Sequence, residues 1–279
     1  IISDSTCDLS KDLLEKYDIS ILPLHILLGE TEYRDGVDIT PEEIFRWSDE
    51  NKTTPKTSAP SMTEAMEVMK PFLDEGREII CFSISDSMST SGNVMRLAAE
   101  ELEASDKVTV INSANLSTGI GLQVIQAALL SAEGKTRAQI TAAIEEIRPR
   151  VRASFTVDTL TYLYRGGRCN AVAALAGTML KLHPRIVVED GAMNASKKYR
   201  GKLSSVILSY TKDMEDDLKN AVPDRVFITH SGCDREIVES VRSYLESLGI
   251  FNEMLETRAG GVISSHCGPG TLGVLFIEK

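Results

Sequence analysis

The chain alternates short β-rich runs with helical ones from its first residues. "IISD" is followed by the amphipathic segment "SKDLLEKY" and then by the apolar run "ISILPLHILL", an alternation of periods that predicts an α/β protein. Helix starts are spelled out. "TPEEIF" has Thr40 as N-cap, Pro41 at the first helical position and Glu43 three residues after the cap, a capping box with its proline in the favoured place. "SMTEAMEVMKPFL" repeats the box with Ser61 and Glu64, and sets Ala65, Met66, Met69, Phe72 and Leu73 on one face. A buried-type strand "EIICFSIS", a loop, a helix "NVMRLAAEELEA", a strand "KVTVINS" and a long helix from about Ser117 to Glu133 follow. Thr136 and Gln139 cap one more helix, which Pro149 ends.

A fresh sheet is expected from "RASFTVD" onward. Its other strands are "RIVVED", "RVFITHS", "NEMLET" and "LGVLFIE", with "SSVILSYTKDMEDDL" and "REIVESVRSYLESLG" as helices between some of them. A chain of 279 residues can bury two modest cores. Two α/β lobes are therefore expected, an N-terminal domain over 1–151 and a C-terminal domain over 152–279.

Composition is that of an ordinary globular protein, and the balance of 30 basic against 41 acidic residues leaves a net charge of −11. That charge argues against nucleic acid and anionic lipid as partners. Five cysteines lie scattered without a C-x-x-C pair and leave no complete disulfide framework, so they read as buried small hydrophobes in a reducing, cytoplasmic protein. The most apolar runs are too short or too interrupted to span a bilayer. Because the chain opens on Ile1, one or two residues are expected to precede it.

Four segments beyond strand ends or before helices are rich in hydroxyls or glycine: Ser3 to Asp8, "KTSAPS", Ser83 to Asn93, and the expected loop Ser264 to Gly273. In α/β sheets, ligands sit in such loops. None matches a phosphate-binding glycine motif, a G-x-S-x-G elbow or an S-x-x-K frame, and no zinc spacing appears. Taken singly, Ser58 and Ser61 read as helix caps, the glycines as tight turns, and His25, His183 and His230 as structural residues. His266, between "SS" and "CGPG", stands open between a structural and a functional role. Together, neutral hydroxyls, helix-start N–H groups and one histidine suit a small anion such as a carboxylate.

"SDSTCDLS", "KTSAPS", "SMSTSGN", "VDTLTYLYRGGR" and "HCGPGTLGV" together resemble, in order and spacing, the DegV family over essentially the whole chain. The resemblance implies a parallel three-layer N-terminal domain, a mixed-sheet C-terminal domain, and a buried tunnel between or beside them for one long-chain fatty acid. It also implies a non-enzymatic carrier without a cofactor or metal. Such a subunit presents the carboxylate of its fatty acid to a separate ATP-dependent kinase related to dihydroxyacetone kinase, which forms acyl phosphate for phospholipid synthesis. By motif, Thr57 and Ser89 are the carboxylate-binding hydroxyls and His266 the histidine near the headgroup. Ser58, Thr90, Arg168 and Gly268 are secondary candidates, and Arg200 marks the kinase-docking position. Lys56 and Thr90 depart from the family pattern, which usually has Thr and Gly there. An enzyme that binds a small ketone or hydrolyses its substrate through His266, and a lipid-responsive regulator, are the alternatives.

Overall fold

The computed structural model describes residues 1–168 and 182–279. In it, β1 (Ile2–Asp4), β2 (Ser20–Leu22), β6 (Ile79–Ser83) and β7 (Val108–Asn112) form an all-parallel sheet in the order β2-β1-β6-β7. Between them in sequence, β3 (His25–Leu28), β4 (Thr31–Arg34) and β5 (Lys56–Ser58) make a small antiparallel sheet in the order β4-β3-β5. The run "ISILPLHILL" is thus two strands in different sheets. Pro23 stands between them and has no N–H to continue a ladder, so the chain leaves the parallel sheet there.

The C-terminal half carries β8 (Val151–Thr156), β9 (Leu182–Glu189), β10 (Ala192–Arg200), β11 (Ala221–Ser231), β12 (Glu253–Arg258) and β13 (Thr271–Glu278). They form one mixed sheet in the order β10-β9-β8-β13-β11-β12, antiparallel except for the β11/β12 pair. The β9–β10 hairpin was not expected, because "AMNASKKYR" is largely polar. Its cue is the Asp190-Gly191 pair, both at positive φ, as a tight hairpin turn demands. The segment "SSVILSYTKDMEDDL" is two helices, Leu203–Lys212 and Glu215–Lys219, rather than one.

Alternation along β6 explains the layering. Ile79 and Cys81 face the Met62–Asp74 and Ser91–Glu101 helices, whereas Ile80 and Phe82 face the helix Thr118–Ala132. That helix also packs on Ala153, Phe155 and Leu275 of the mixed sheet, so it lies between the two sheets. It is buried nearly all round, which is why "GIGLQVIQAALL" shows no polar stripe. Gly121 is needed where it crosses the first turn, since a Cβ there would meet Leu9 Cδ2 at 2.8 Å and the Cys7 carbonyl at 3.0 Å. The far face of the mixed sheet is covered by Leu203–Lys212 and Arg235–Leu248 through Val206, Tyr210, Val238, Val241 and Leu245. Cys7 and Cys81 are buried in these cores, and burial pushes their thiols up to about 12. The apolar run Ala171 to Leu180, whose sequence predicts a helix, and residue Cys169 lie outside the described residues.

The segment Ser264 to Gly273 is not a loop throughout. Residues Gly261–Cys267 form a helix. Its starting N–H groups are capped from far away: Asp8 Oδ1 accepts from Gly260 N at 2.8 Å and Asp35 Oδ1 from Gly261 N at 2.7 Å. Gly261 is packed so closely that a Cβ would meet Ile26 Cδ1 at 2.5 Å and both Asp35 Oδ1 and Ile44 Cδ1 at 2.9 Å.

Candidate ligand-binding site

A cavity of about 430 Å³ opens beyond the carboxyl ends of β1 and β6, where the small sheet meets the Gly261–Cys267 helix. Its size is within the range of small-molecule sites. Thr57, Ser58, Ser89, Thr90, Arg168 and His266 line its polar side. Leu24, Ile84, Met88, Leu116, Val262 and Ile263 form its apolar side, and Asp86 and Ser87 also line it.

Three buried carboxylates fix the loops around it. Asp4, at the end of β1, accepts from Ile84 N at 2.8 Å and Ser91 Oγ at 2.9 Å, which anchors both ends of the loop carrying Ser89. Asp8 ties Ser117 Oγ, at 2.5 Å, to the start of the His266 helix. Asp35 holds Ser5 Oγ at 2.8 Å as well as Gly261 N. Burial raises the pKa of all three against the pull of these hydrogen bonds, with Asp35 reaching about 6. The motif "SDSTCD" therefore serves as a scaffold for the site, with Asp4 and Asp8 as its working carboxylates.

At the polar end, Thr57 Oγ1 lies 2.7 Å from His266 Nε2. The residues are 209 apart in sequence, and the parallel-sheet half supplies one and the mixed-sheet half the other. Ser89 Oγ accepts from Ser91 N at 3.2 Å, which leaves its O–H free to donate. Two neighbouring residues, Ser87 and Ser85, clamp this loop to the β9–β10 turn by donating to the Gly191 carbonyl, Ser85 at 2.7 Å.

His266 is held neutral. Burial, aided by the Arg168 guanidinium, pushes its pKa down to about 4. Its Nδ1 is buried without a hydrogen-bond partner among the described residues. Gly166 presses on that side of the ring: a Cβ there would overlap Nδ1. An acceptor lone pair tolerates this position better than a polar N–H would, so the proton belongs on Nε2, from which it is donated to Thr57 Oγ1. Thr57 O–H then points outward as a donor, its strength raised by the donor behind it. Two hydroxyl donors thus face the cavity, with Arg168 at its rim.

The remaining candidates divide. Thr90 lines the cavity as N-cap of the Ser91–Glu101 helix, but its side chain makes no capping bond. Ser58 lies in β5 and also lines the cavity, whereas Ser61 does cap Met62–Asp74, in a full capping box with Glu64. Arg168 donates to the Gly166 carbonyl at 2.8 Å at the rim. Gly268 is not among the lining residues; it ends the His266 helix at positive φ, against the Tyr162 ring, where a Cβ would meet Cδ2 at 2.5 Å. Arg200 is exposed at the end of edge strand β10, away from the cavity. His183 does not line the cavity, and its Nδ1 lies 3.0 Å from the Val157 carbonyl. Among the described residues, no group of three or more His, Cys, Asp or Glu could hold a metal, and no helix is long and apolar enough to cross a membrane.

The state of His266 predicts a pH signature. A base whose folded pKa lies below its unfolded value of 6.5 contributes stability that is present above 6.5 and lost as pH falls toward about 4. Asp35 acts in the opposite sense: the stability it contributes is full below 3.8 and is lost as pH rises through about 6. The two partly mask one another in the native protein. The stability difference between wild type and His266→Gln, measured by urea titration, isolates the histidine and shrinks from about pH 6.5 to about 4. A difference that does not vary over that window contradicts a neutral buried imidazole.

The fold and the cavity define an α/β protein whose cavity sets hydroxyls at one end against an apolar wall. A family model described as "Uncharacterised protein, DegV family" matches residues 1–279, and the chain belongs to the DegV family. It is 32% identical over 279 residues to a DegV domain-containing protein of Clostridium perfringens, covering 100% of this chain and 98% of the relative. Among solved structures, a DegV family protein from Thermus thermophilus described by its fatty acid binding superposes with a TM-score of 0.91 at 32% identity, covering 100% of this chain and 98% of that one. A fatty acid (stearic acid)-binding protein from Eubacterium ventriosum gives a TM-score of 0.85 at 32% identity, covering 100% and 97%.

Proposed function

We propose that this protein binds one long-chain fatty acid, with the carboxylate at Thr57, Ser89 and His266 and the tail along Leu24, Ile84, Met88, Leu116 and Ile263. The observation that carries the reading is the Thr57–His266 pair, which turns the Thr57 hydroxyl, beside that of Ser89, toward the polar end of a cavity whose other side is apolar. The fatty-acid-binding relatives from Thermus thermophilus and Eubacterium ventriosum support it. Burying a long acyl chain at ~0.8 kcal/mol per methylene contributes on the order of 10 kcal/mol. Affinity comes from the tail, so the head need only keep the carboxylate ionised and reachable. Hydroxyl donors do this without an ion pair that would cover its oxygens.

In the same proposal the chain is a carrier rather than an enzyme and acts in the cytoplasm without a cofactor or metal. It offers the carboxylate to a separate dihydroxyacetone-kinase-like fatty acid kinase, which makes acyl phosphate, and the exposed Arg200 is the proposed docking residue. The neutral state of His266, with Nε2 on Thr57, fits a hydrogen-bonding role better than that of a hydrolytic base, because its low pKa makes it a weak one. Mass spectrometry of the purified protein, native and then after organic extraction, tests the carrier reading. One fatty acid per chain is the expected result, and an empty protein that also fails to take up added fatty acid overturns it.

A further inference from the structure

His25 was read from the sequence as a structural residue, yet its surroundings give it a definite charge. Its Nδ1 lies 2.7 Å from Glu32 Oε1 and its Nε2 2.9 Å from Glu64 Oε1, with the imidazole only 14% exposed. A neutral imidazole donates from one nitrogen and would turn the lone pair of the other against a carboxylate. Only the imidazolium satisfies both.

The clasp holds β3, the strand that pairs with the one carrying Thr57. In the β3/β5 ladder His25 is opposite Ser58 and Ile26 opposite Thr57. β5 has three residues and lies at the edge of a three-stranded sheet, so it has little stability of its own. Glu64 is also the capping-box residue of Met62–Asp74: its Oε2 accepts from Ser61 N at 2.8 Å and from Ser61 Oγ at 2.7 Å. One carboxylate therefore joins His25, the helix start and the far end of "KTSAPS". On the other side, Glu32 belongs to β4, and the β4 residue opposite His25 is Arg34, whose charge is taken up by Asp38 at 2.9 Å. Lys56 pairs with Leu27 one step along the ladder.

We propose that His25 is a positioning residue for the headgroup site, and that its protonation locks β5 and Thr57 into the geometry that meets the carboxylate. The proposal rests on the fatty-acid reading for its ligand but not for its geometry. Burial alone would lower the pKa of His25, and the hydrogen bonds to Glu32 and Glu64 outweigh it, so the net shift is upward from 6.5. The clasp is thus complete below 6.5 and is lost as pH rises through the raised value. Loss of the proton leaves two carboxylates facing one neutral ring, and one of the two contacts of His25 is lost, which loosens β3 and the β5 strand paired with it.

The test is the pH dependence of decanoate binding, chosen because this carboxylate stays ionised and soluble throughout, together with ¹H–¹⁵N spectra of the protein. Between about pH 6 and about 9 the wild-type affinity is expected to weaken about fivefold. His25→Gln binds at the weaker level and its profile is flat. The Thr57 and Ser58 amides shift with the same midpoint as the His25 imidazole. Should His25→Gln not fold, Glu32→Gln serves instead, at a carboxylate whose side chain is 54% exposed, and moves both midpoints to lower pH. Variant profiles that match wild type, or a Thr57 amide that ignores the His25 titration, overturn the proposal. If decanoate does not bind at any pH while the Thr57 amide still follows His25, the positioning role is supported and the fatty-acid reading fails.

Discussion

Thr57→Val combined with Ser89→Ala is expected to weaken binding of a long-chain carboxylate about 100-fold and to leave binding of the corresponding methyl ester nearly unchanged. In the proposed complex each hydroxyl donates to a charged oxygen, a bond worth roughly 1.5–3 kcal/mol, and two such losses at the low end amount to about 100-fold. The ester carries no charge, so its affinity rests on the tail, which these substitutions do not touch. The fold should survive. Both hydroxyls lie at the half-buried head of the cavity, although Thr57→Val also strands Nε2 of His266. Thr57→Ser is the control, since it restores the hydroxyl and should recover most of the affinity of its single-site parent. Binding isotherms for acid and ester decide the matter: equal losses for both would mean that the hydroxyls shape the cavity rather than hold a carboxylate. In the proposed reaction with a partner kinase, acyl phosphate formation should fall in parallel with acid affinity.

The second large effect is expected at Gly166. Alanine there places a methyl against Nδ1 of His266, and the imidazole must swing away, which takes Nε2 off Thr57. Overpacking of this kind costs about 1–3 kcal/mol of stability. The functional loss is larger in kind, because Thr57 loses the donor that orients it, and acid affinity should drop about 10-fold or more, the scale of one charge-assisted bond. Gly167, the next residue, is the informative comparison. Its φ is +65° and a Cβ there meets nothing within 4 Å, so Gly167→Ala strains the backbone by ~1 kcal/mol but leaves the imidazole in place. Urea titration together with binding separates the two variants. A Gly166→Ala protein with wild-type acid affinity would show that the Thr57–His266 pair does not set the headgroup geometry.

The sharp definition of this site depends on contacts that cross the whole chain. His266 rests on a helix whose first N–H groups are capped by Asp8 and Asp35, 252 and 226 residues away. Nothing local announces that helix. "GGVISSHC" begins with two glycines and lacks a side-chain cap of its own, so sequence reasoning treats it as loop. By contrast, the helices Pro41–Asn51, Met62–Asp74 and Arg137–Ile147 carry their capping boxes within four residues, and all three boxes are formed. Local chemistry is legible where a helix supplies its own cap and hidden where a distant carboxylate does.

The sequence by itself determined the α/β class, most of the elements and the family, because periodicity, capping boxes and motif order are local or additive signals. It also named Thr57, Ser89 and His266 as candidates, through motifs that resemble a known family, and all three line one cavity. Only the tertiary structure decided that Thr57 and His266 share a hydrogen bond across 209 residues, that Gly268 packs on Tyr162 away from the head, that Asp4, Asp8 and Asp35 hold the site together, and that His25 is clasped by two glutamates. The reason is physical. A hydroxyl or imidazole acquires its donor direction and its pKa from whatever is packed against it, and in this fold those partners come from the other sheet, the other lobe or the far end of the chain.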